Sequence, residues 1–219
     1  TVKPESTTET PSAVVEEEDP TVMAIEYAST LPGDKIYQTA SRADLFPAFT
    51  GKKEGKDLVI MGAWEWRQLE FVAAQFAESV FDEFSHIKAI QENHSRQDAG
   101  KIVYLKQHRR SEVVAPLKGT QLSLQEVLDN NLPFSISAEG LTFMGAEGYA
   151  DGGFAFKTQE RIVLYGLAYG EKMEVFCLQL PDGLDTTEET VGASLAALMK
   201  AYDLILVDWD NTQVIRASE

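Results

Sequence analysis

Between residues 134 and 180 the chain passes through five short apolar segments, 134–137, 141–144, 154–156, 161–169 and 174–180, separated by turns that contain glycine. Runs this short are marginal as helices and suit strands. The reversals between them are tighter still, with Asp151-Gly152-Gly153 and Gly170-Glu171-Lys172 as the expected turns. A parallel crossover needs about a dozen residues or more, so consecutive strands here must be antiparallel neighbours. The middle of the chain is therefore expected to be an antiparallel meander.

Helical and mixed patterns surround it. Residues 57–61 (DLVIM) read as a buried strand closed by Gly62. Leu69, Val72, Ala73, Phe76, Val80, Phe84 and Ile87 then recur at spacings of three and four, which predicts one long amphipathic helix over about 64–93. Its polar face would carry Glu70, Glu78, Asp82, Glu83 and Glu92, and Phe76, Phe81 and Phe84 would lie in the core. Residues 101–106 read as a strand before a basic turn. Ser123-Leu124-Gln125-Glu126 has capping-box spacing and starts a short helix that stops before Pro133, and Thr186-Thr187-Glu188-Glu189 repeats the signal. After it, Val191, Leu195, Leu198, Met199 and Tyr202 form one apolar stripe, and 204–207 (LILV) returns as a buried strand. The fold class is α+β, with a mostly antiparallel sheet, the long helix and a C-terminal helix packed on it.

Residues 1–22 contain no aromatic side chain, three prolines and the acidic run Glu16-Glu17-Glu18-Asp19, so they bury too little to offset ordering entropy. They are expected to form a disordered acidic tail ahead of one α+β domain over 23–219. Across the whole chain 35 Asp and Glu face 19 Lys and Arg, a formal net charge of -16. Six of those acids and one base lie in the tail, which leaves 29 against 18, a net -11, for the rest. A field of this sign repels phosphate backbones, so duplex nucleic acid is excluded as a natural ligand, and it speeds encounter with a basic protein.

No apolar run approaches the roughly 20 residues a membrane span requires, which predicts a soluble body. The chain begins at Thr1, consistent with a cytoplasmic protein, or with an exported one whose signal peptide was removed before Thr1. No motif sets the oligomeric state. Cys177 is the single cysteine, so an intrachain disulfide and a multi-cysteine zinc site are excluded, and its apolar neighbours predict a buried structural thiol.

The sharpest chemical pattern is Asp208-Trp209-Asp210-Asn211-Thr212 directly after Leu204-Ile205-Leu206-Val207. This stretch of nine residues resembles the first motif of the haloacid dehalogenase-like phosphohydrolases, an apolar strand ending in Asp-x-Asp-x-Thr. The resemblance implies Asp208 as nucleophile, Asp210 as general acid/base and Mg²⁺ as cofactor. In that family the remaining catalytic elements follow the first motif, whereas here only 213–219 follow it. The competing reading is a strand end entering an Asx-type turn, with no catalytic residue and no cofactor.

Other catalytic patterns are sparse. His86 and His94 stand eight apart on the expected helix, about 80° around its axis, and no His-x-x-x-His pair occurs. Neither Gly-x-Ser-x-Gly nor Gly-x-Gly-x-x-Gly is present. Lys101, Lys106, His108, Arg109, Arg110 and Lys118 form a basic island in the acidic chain, where His108, Arg109 and Arg110 are candidate binding residues for an anionic group. Trp64 and Trp66 flank Glu65 and cannot share one face, so Trp64 is a further candidate anchor for a partner.

Together these features favour a non-enzymatic acidic protein that recognises a basic protein partner, of the immunity-type inhibitor or chaperone-like kind. The alternatives are a Mg²⁺-dependent phosphohydrolase built on Asp208 and Asp210, and a small-molecule pocket between the meander and the long helix.

Overall fold

The computed structural model describes residues 40–41, 46–54, 57–93, 95–98, 101–104, 109–110, 115–129, 137–157, 162–180 and 189–217. The expected tail, His94, His108 and the second capping box at 186–188 lie outside them. Along the described chain come β1 (Ala40–Ser41), β2 (Phe49–Thr50), β3 (Leu58–Met61), β4 (Leu69–Ala73), α1 (Ala77–Asn93), β5 (Ser95–Asp98), β6 (Lys101–Tyr104) and β7 (Arg109–Arg110). There follow α2 (Leu124–Asp129), β8 (Ser137–Phe143), β9 (Tyr149–Ala150), β10 (Gly153–Lys157), β11 (Val163–Tyr169), β12 (Lys172–Gln179), α3 (Glu189–Tyr202), β13 (Leu204–Asp208) and β14 (Gln213–Ile215).

Eight strands make one sheet in the order β14-β13-β4-β12-β11-β10-β8-β3. Its neighbours are antiparallel except for β3 with β8. The protein is thus α+β with a mostly antiparallel sheet, and β8, β10, β11 and β12 form the meander that the glycine turns predict. Three two-stranded pairs, β1-β7, β2-β9 and β5-β6, accompany the main sheet.

Both faces of the sheet are covered at β4 and β13. On one face Leu195, Leu198 and Met199 of α3 pack with Phe71, Phe176 and Leu206. On the other, Val80, Phe84 and Ile87 of α1 pack with Val72, Ile205 and Trp209. A strand buried on both faces needs apolar residues at every position, which explains the unbroken Leu204-Ile205-Leu206-Val207. Phe71 and Phe176 stack at 4.7 Å, and truncating either to Ala costs about 3–5 kcal/mol.

The long helix expected over 64–93 is corrected. Its first part is a short 3-10 turn, Ala63–Glu65, and the central strand β4, and the α-helix begins only at Ala77. Leu69 and Phe71 face one buried side and Val72 the other, so a strand buried on both faces places Val72 and Ala73 three and four residues after Leu69, which mimics a helical period. The backbone is held by long-range bonds, Ala73 N–H to the Pro116 carbonyl and Ala74 N–H to the Asp203 carbonyl, each 2.8 Å. Two acids assigned to the polar face, Glu70 and Glu83, are fully buried, because β4 is central and α1 turns Glu83 inward. Phe81 is corrected in the opposite sense: it is 49% exposed, standing about 100° around the helix from Val80.

The first capping box is present as read. Glu126 N–H donates to Ser123 Oγ at 3.2 Å and Ser123 N–H to Glu126 Oε2 at 2.9 Å, closing the start of α2.

One irregularity shapes the meander. Leu167 faces Val175, but Ala168 faces Met173, so Glu174 is an extra residue in β12. Such a bulge shifts the alternation of side chains by one. Met173 accordingly packs on the same face as Phe176 and Leu178, while Val175 and Cys177 occupy the other.

Candidate functional site

The turn from β3 into β4, Gly62 to Gln68, is built around buried polar groups. Arg67 adopts a left-handed backbone, φ 61°, a conformation that non-glycine residues enter at a cost unless neighbours fix it. Tyr165 of β11 supplies the fixing: its hydroxyl accepts the Arg67 N–H at 3.0 Å and donates to the Glu65 carbonyl at 2.9 Å. Burial pushes the Tyr165 phenol well above its ordinary range, and the adjoining Cys177 thiol adds in the same direction, so the hydroxyl remains a donor. Cys177 is buried and free of disulfide.

Below the turn, the Arg67 guanidinium donates through Nε to Glu70 Oε1, and Trp209 Nε1 donates to Glu70 Oε2 at 3.1 Å. All three side chains are at most 2% exposed. A second link joins the same segments, from Trp209 N–H to the Gln68 carbonyl at 3.0 Å. The turn after β13 is thereby locked against the turn before β4.

Locking the two turns opens a cleft of about 300 Å³ between them, at the start of β4 and the ends of β12 and β13. Its polar lining is Glu65, Gln68, Gln179, Asp208, Asp210 and Asn211, above an apolar base of Leu69, Leu178 and Leu180. Glu65 Oε2 accepts the Gly62 N–H at 2.5 Å, and Oε1 accepts Gln179 Nε2 at 2.8 Å. Asp208 Oδ1 accepts the Asn211 N–H at 2.9 Å and Oδ2 accepts Asn211 Nδ2 at 2.7 Å, an Asx turn at the head of the β13-β14 hairpin. These donors are neutral, so they hold the carboxylates without cancelling their charge. Among the described residues no Lys or Arg lines the cleft.

The structure thus brings Asp208 and Asp210 into one cleft and adds Glu65. Among the described residues no three His, Cys, Asp or Glu side chains are placed together to hold a metal ion. The other candidates lie elsewhere. Trp64 falls in the 3-10 turn beside Glu65, and its side chain is outside the described residues, as are those of Arg109 and Arg110 in β7, which pairs with β1. Trp66, by contrast, is buried against Phe46, Phe143 and Tyr165. His86 is 63% exposed on α1, with Nδ1 3.8 Å from Glu83 Oε2.

Comparison with family models, with curated proteins and with solved structures finds no match. Sequence reading missed Glu65, Gln68 and Gln179 in the cleft, since hydrogen bonds across more than a hundred residues bring them together, from Gln179 Nε2 to Glu65 Oε1 and from Trp209 N–H to the Gln68 carbonyl. The one local signal was a glutamate set between two tryptophans. No described helix is long and apolar enough to cross a membrane.

A second cavity, of about 440 Å³, lies between the end of the β11-β12 hairpin and the loops around Pro47 and Leu117, away from α1.

Proposed function

We propose that this chain is a non-enzymatic acidic binding protein that recognises a basic protein partner, as an immunity-type inhibitor or chaperone-like factor would, by taking a Lys or Arg side chain into the cleft of Glu65, Asp208 and Asp210. The observation that carries the reading is the concentration of three carboxylates in one open cleft whose described lining contains no cation. A cation entering it gains charge-assisted hydrogen bonds, and the apolar base suits the alkyl stem of Lys or Arg. The formal charge of -16 adds long-range steering toward a basic surface.

An oligolysine peptide titrated into the full chain tests this. Binding is expected to weaken at least about 10-fold in the double variant Asp208→Asn, Asp210→Asn, and the association rate to fall steeply with added salt. Equal affinity of the double variant, or salt-insensitive association, would defeat the proposal. The same reading expects no turnover of an aryl phosphate above a blank in Mg²⁺.

A further inference from the structure

The second cavity has the opposite electrostatic character from the acidic cleft. Its described rim carries two exposed cations, Lys118 and Lys172, against one carboxylate, Glu174, in a chain whose formal charge is -16, while Arg67 in its wall is paired with the buried Glu70. Its floor is apolar: Leu167, Met173 and Val175 line it, each no more than 6% exposed, with Pro47 and Leu117 at the sides.

The bulge at Glu174 builds this floor. Met173 and Val175 would point the same way in a regular strand, but the extra residue sends them to opposite faces of the sheet, and the cavity sits across that step. The walls are tied down on both sides. Asp151 N–H donates to the Ala48 carbonyl at 2.8 Å, and the Pro116 carbonyl accepts Ala73 N–H at the same distance. Charge at the rim is exposed and adaptable, with Lys172 Nζ 2.9 Å from Glu174 Oε1 at the surface.

The geometry points to a binding site for a small amphipathic anion, a single carboxylate on a short apolar tail, with the tail lying across the step between Met173 and Val175, beside Pro47 and Leu117, and the head between Lys118 and Lys172. The volume of about 440 Å³ is within the usual range for small-molecule sites, apolar with a few placed polar groups. The site is separate from the acidic cleft, so either assignment stands or falls alone.

Calorimetric titration of the full chain with decanoate and with decanol, which share a tail and differ in the head, tests it. Decanoate is expected to saturate at one per chain, and decanol to bind at least about 10-fold more weakly. The double variant Lys118→Glu, Lys172→Glu, changed only at exposed positions, should lose about 10-fold in decanoate affinity while decanol is unaffected. Ala48→Trp, at the exposed mouth, should abolish both, and far-ultraviolet circular dichroism checks that each variant is folded. Absence of saturable decanoate binding, equal affinity for the two tails, or an unchanged decanoate affinity in the double variant would overturn the assignment.

Discussion

Trp209 Nε1 donates to Glu70 Oε2 at 3.1 Å across 139 positions of sequence, and this bond fastens the acidic turn after β13 to β4, which pairs with both β12 and β13. Glu70 also accepts from Arg67, so a buried carboxylate, a buried guanidinium and a buried indole form one unit. Two segments that contribute to the cleft, the 62–68 turn and the 208–212 turn, hang from it.

Removing one member of that unit is expected to cost more than removing two. Glu70→Leu leaves the Arg67 charge buried, at about 3–5 kcal/mol, and Trp209→Phe leaves one Glu70 oxygen short of a donor, at about 1–3 kcal/mol. Arg67→Met together with Glu70→Leu should be less destabilised than Glu70→Leu alone. Urea unfolding of the three variants provides the comparison, and additive losses would show that the charges are not coupled.

Tyr165 gives the fold an alkaline limit. Its folded phenol is raised above the ordinary value of 10.0, so the folded chain holds a proton that the unfolded chain releases first. The stabilisation is complete below about pH 10 and declines as pH rises from there toward the folded value, by about 1.4 kcal/mol per pH unit. Tyr165→Phe should remove that slope and, by stripping the Arg67 N–H and Glu65 carbonyl of their shared hydroxyl, cost about 1–3 kcal/mol at neutral pH. A wild-type slope above pH 10 identical to that of the variant would contradict it.

Thr212 has φ 49° in the β13-β14 turn, a left-handed conformation that its branched Cβ disfavours. Asn tolerates this region, so Thr212→Asn should raise the urea midpoint, by about 0.5–1 kcal/mol in stability. Asp208→Ala, which loses both bonds to Asn211, should lower it by about 1–2 kcal/mol, whereas Asp208→Asn retains an acceptor and changes it less. Reversal of the Asp208 order would mean that charge, not the Asx turn, stabilises the hairpin.

The legible parts of this fold were those in which one local rule acted alone. Gly152 and Gly170, both at positive φ, mark real reversals, Ser123 and Glu126 make their box, and Leu204 to Val207 is a strand. The misread part was 64–76, where residues serving two buried faces produced intervals that a helix also gives. Local pattern carries no information about which distant strands flank a segment, and here β12 and β13 decide it. The cleft was half visible for the same reason: Asp208 and Asp210 are two positions apart in sequence, while Glu65 is held by Tyr165 and Gln179, neither of which is near it in the chain. The buried pair of Arg67 and Glu70 was hidden because charged residues at spacing three read as solvent-facing by default.

The bulge that shapes the second cavity depends on a residue with no side chain. A Cβ placed on Gly166 would lie 1.9 Å from the Val175 carbonyl oxygen and 2.8 Å from its carbon, and both belong to the backbone of the strand that carries the extra residue. Neither can rotate away, so Gly166→Ala must push β12 off β11, at about 1–3 kcal/mol or more. Gly145 is the control: a Cβ there meets nothing within 4 Å, and its φ of 81° alone sets a penalty of about 1–2 kcal/mol. Gly166→Ala should therefore unfold at lower urea than Gly145→Ala. It should also lose decanoate binding in the folded state, because moving Val175 disturbs the cavity floor, whereas Gly145→Ala should retain it. A Gly166→Ala protein that is as stable as Gly145→Ala would mean that the two strands do not approach this closely, and the bulge would no longer account for the cavity.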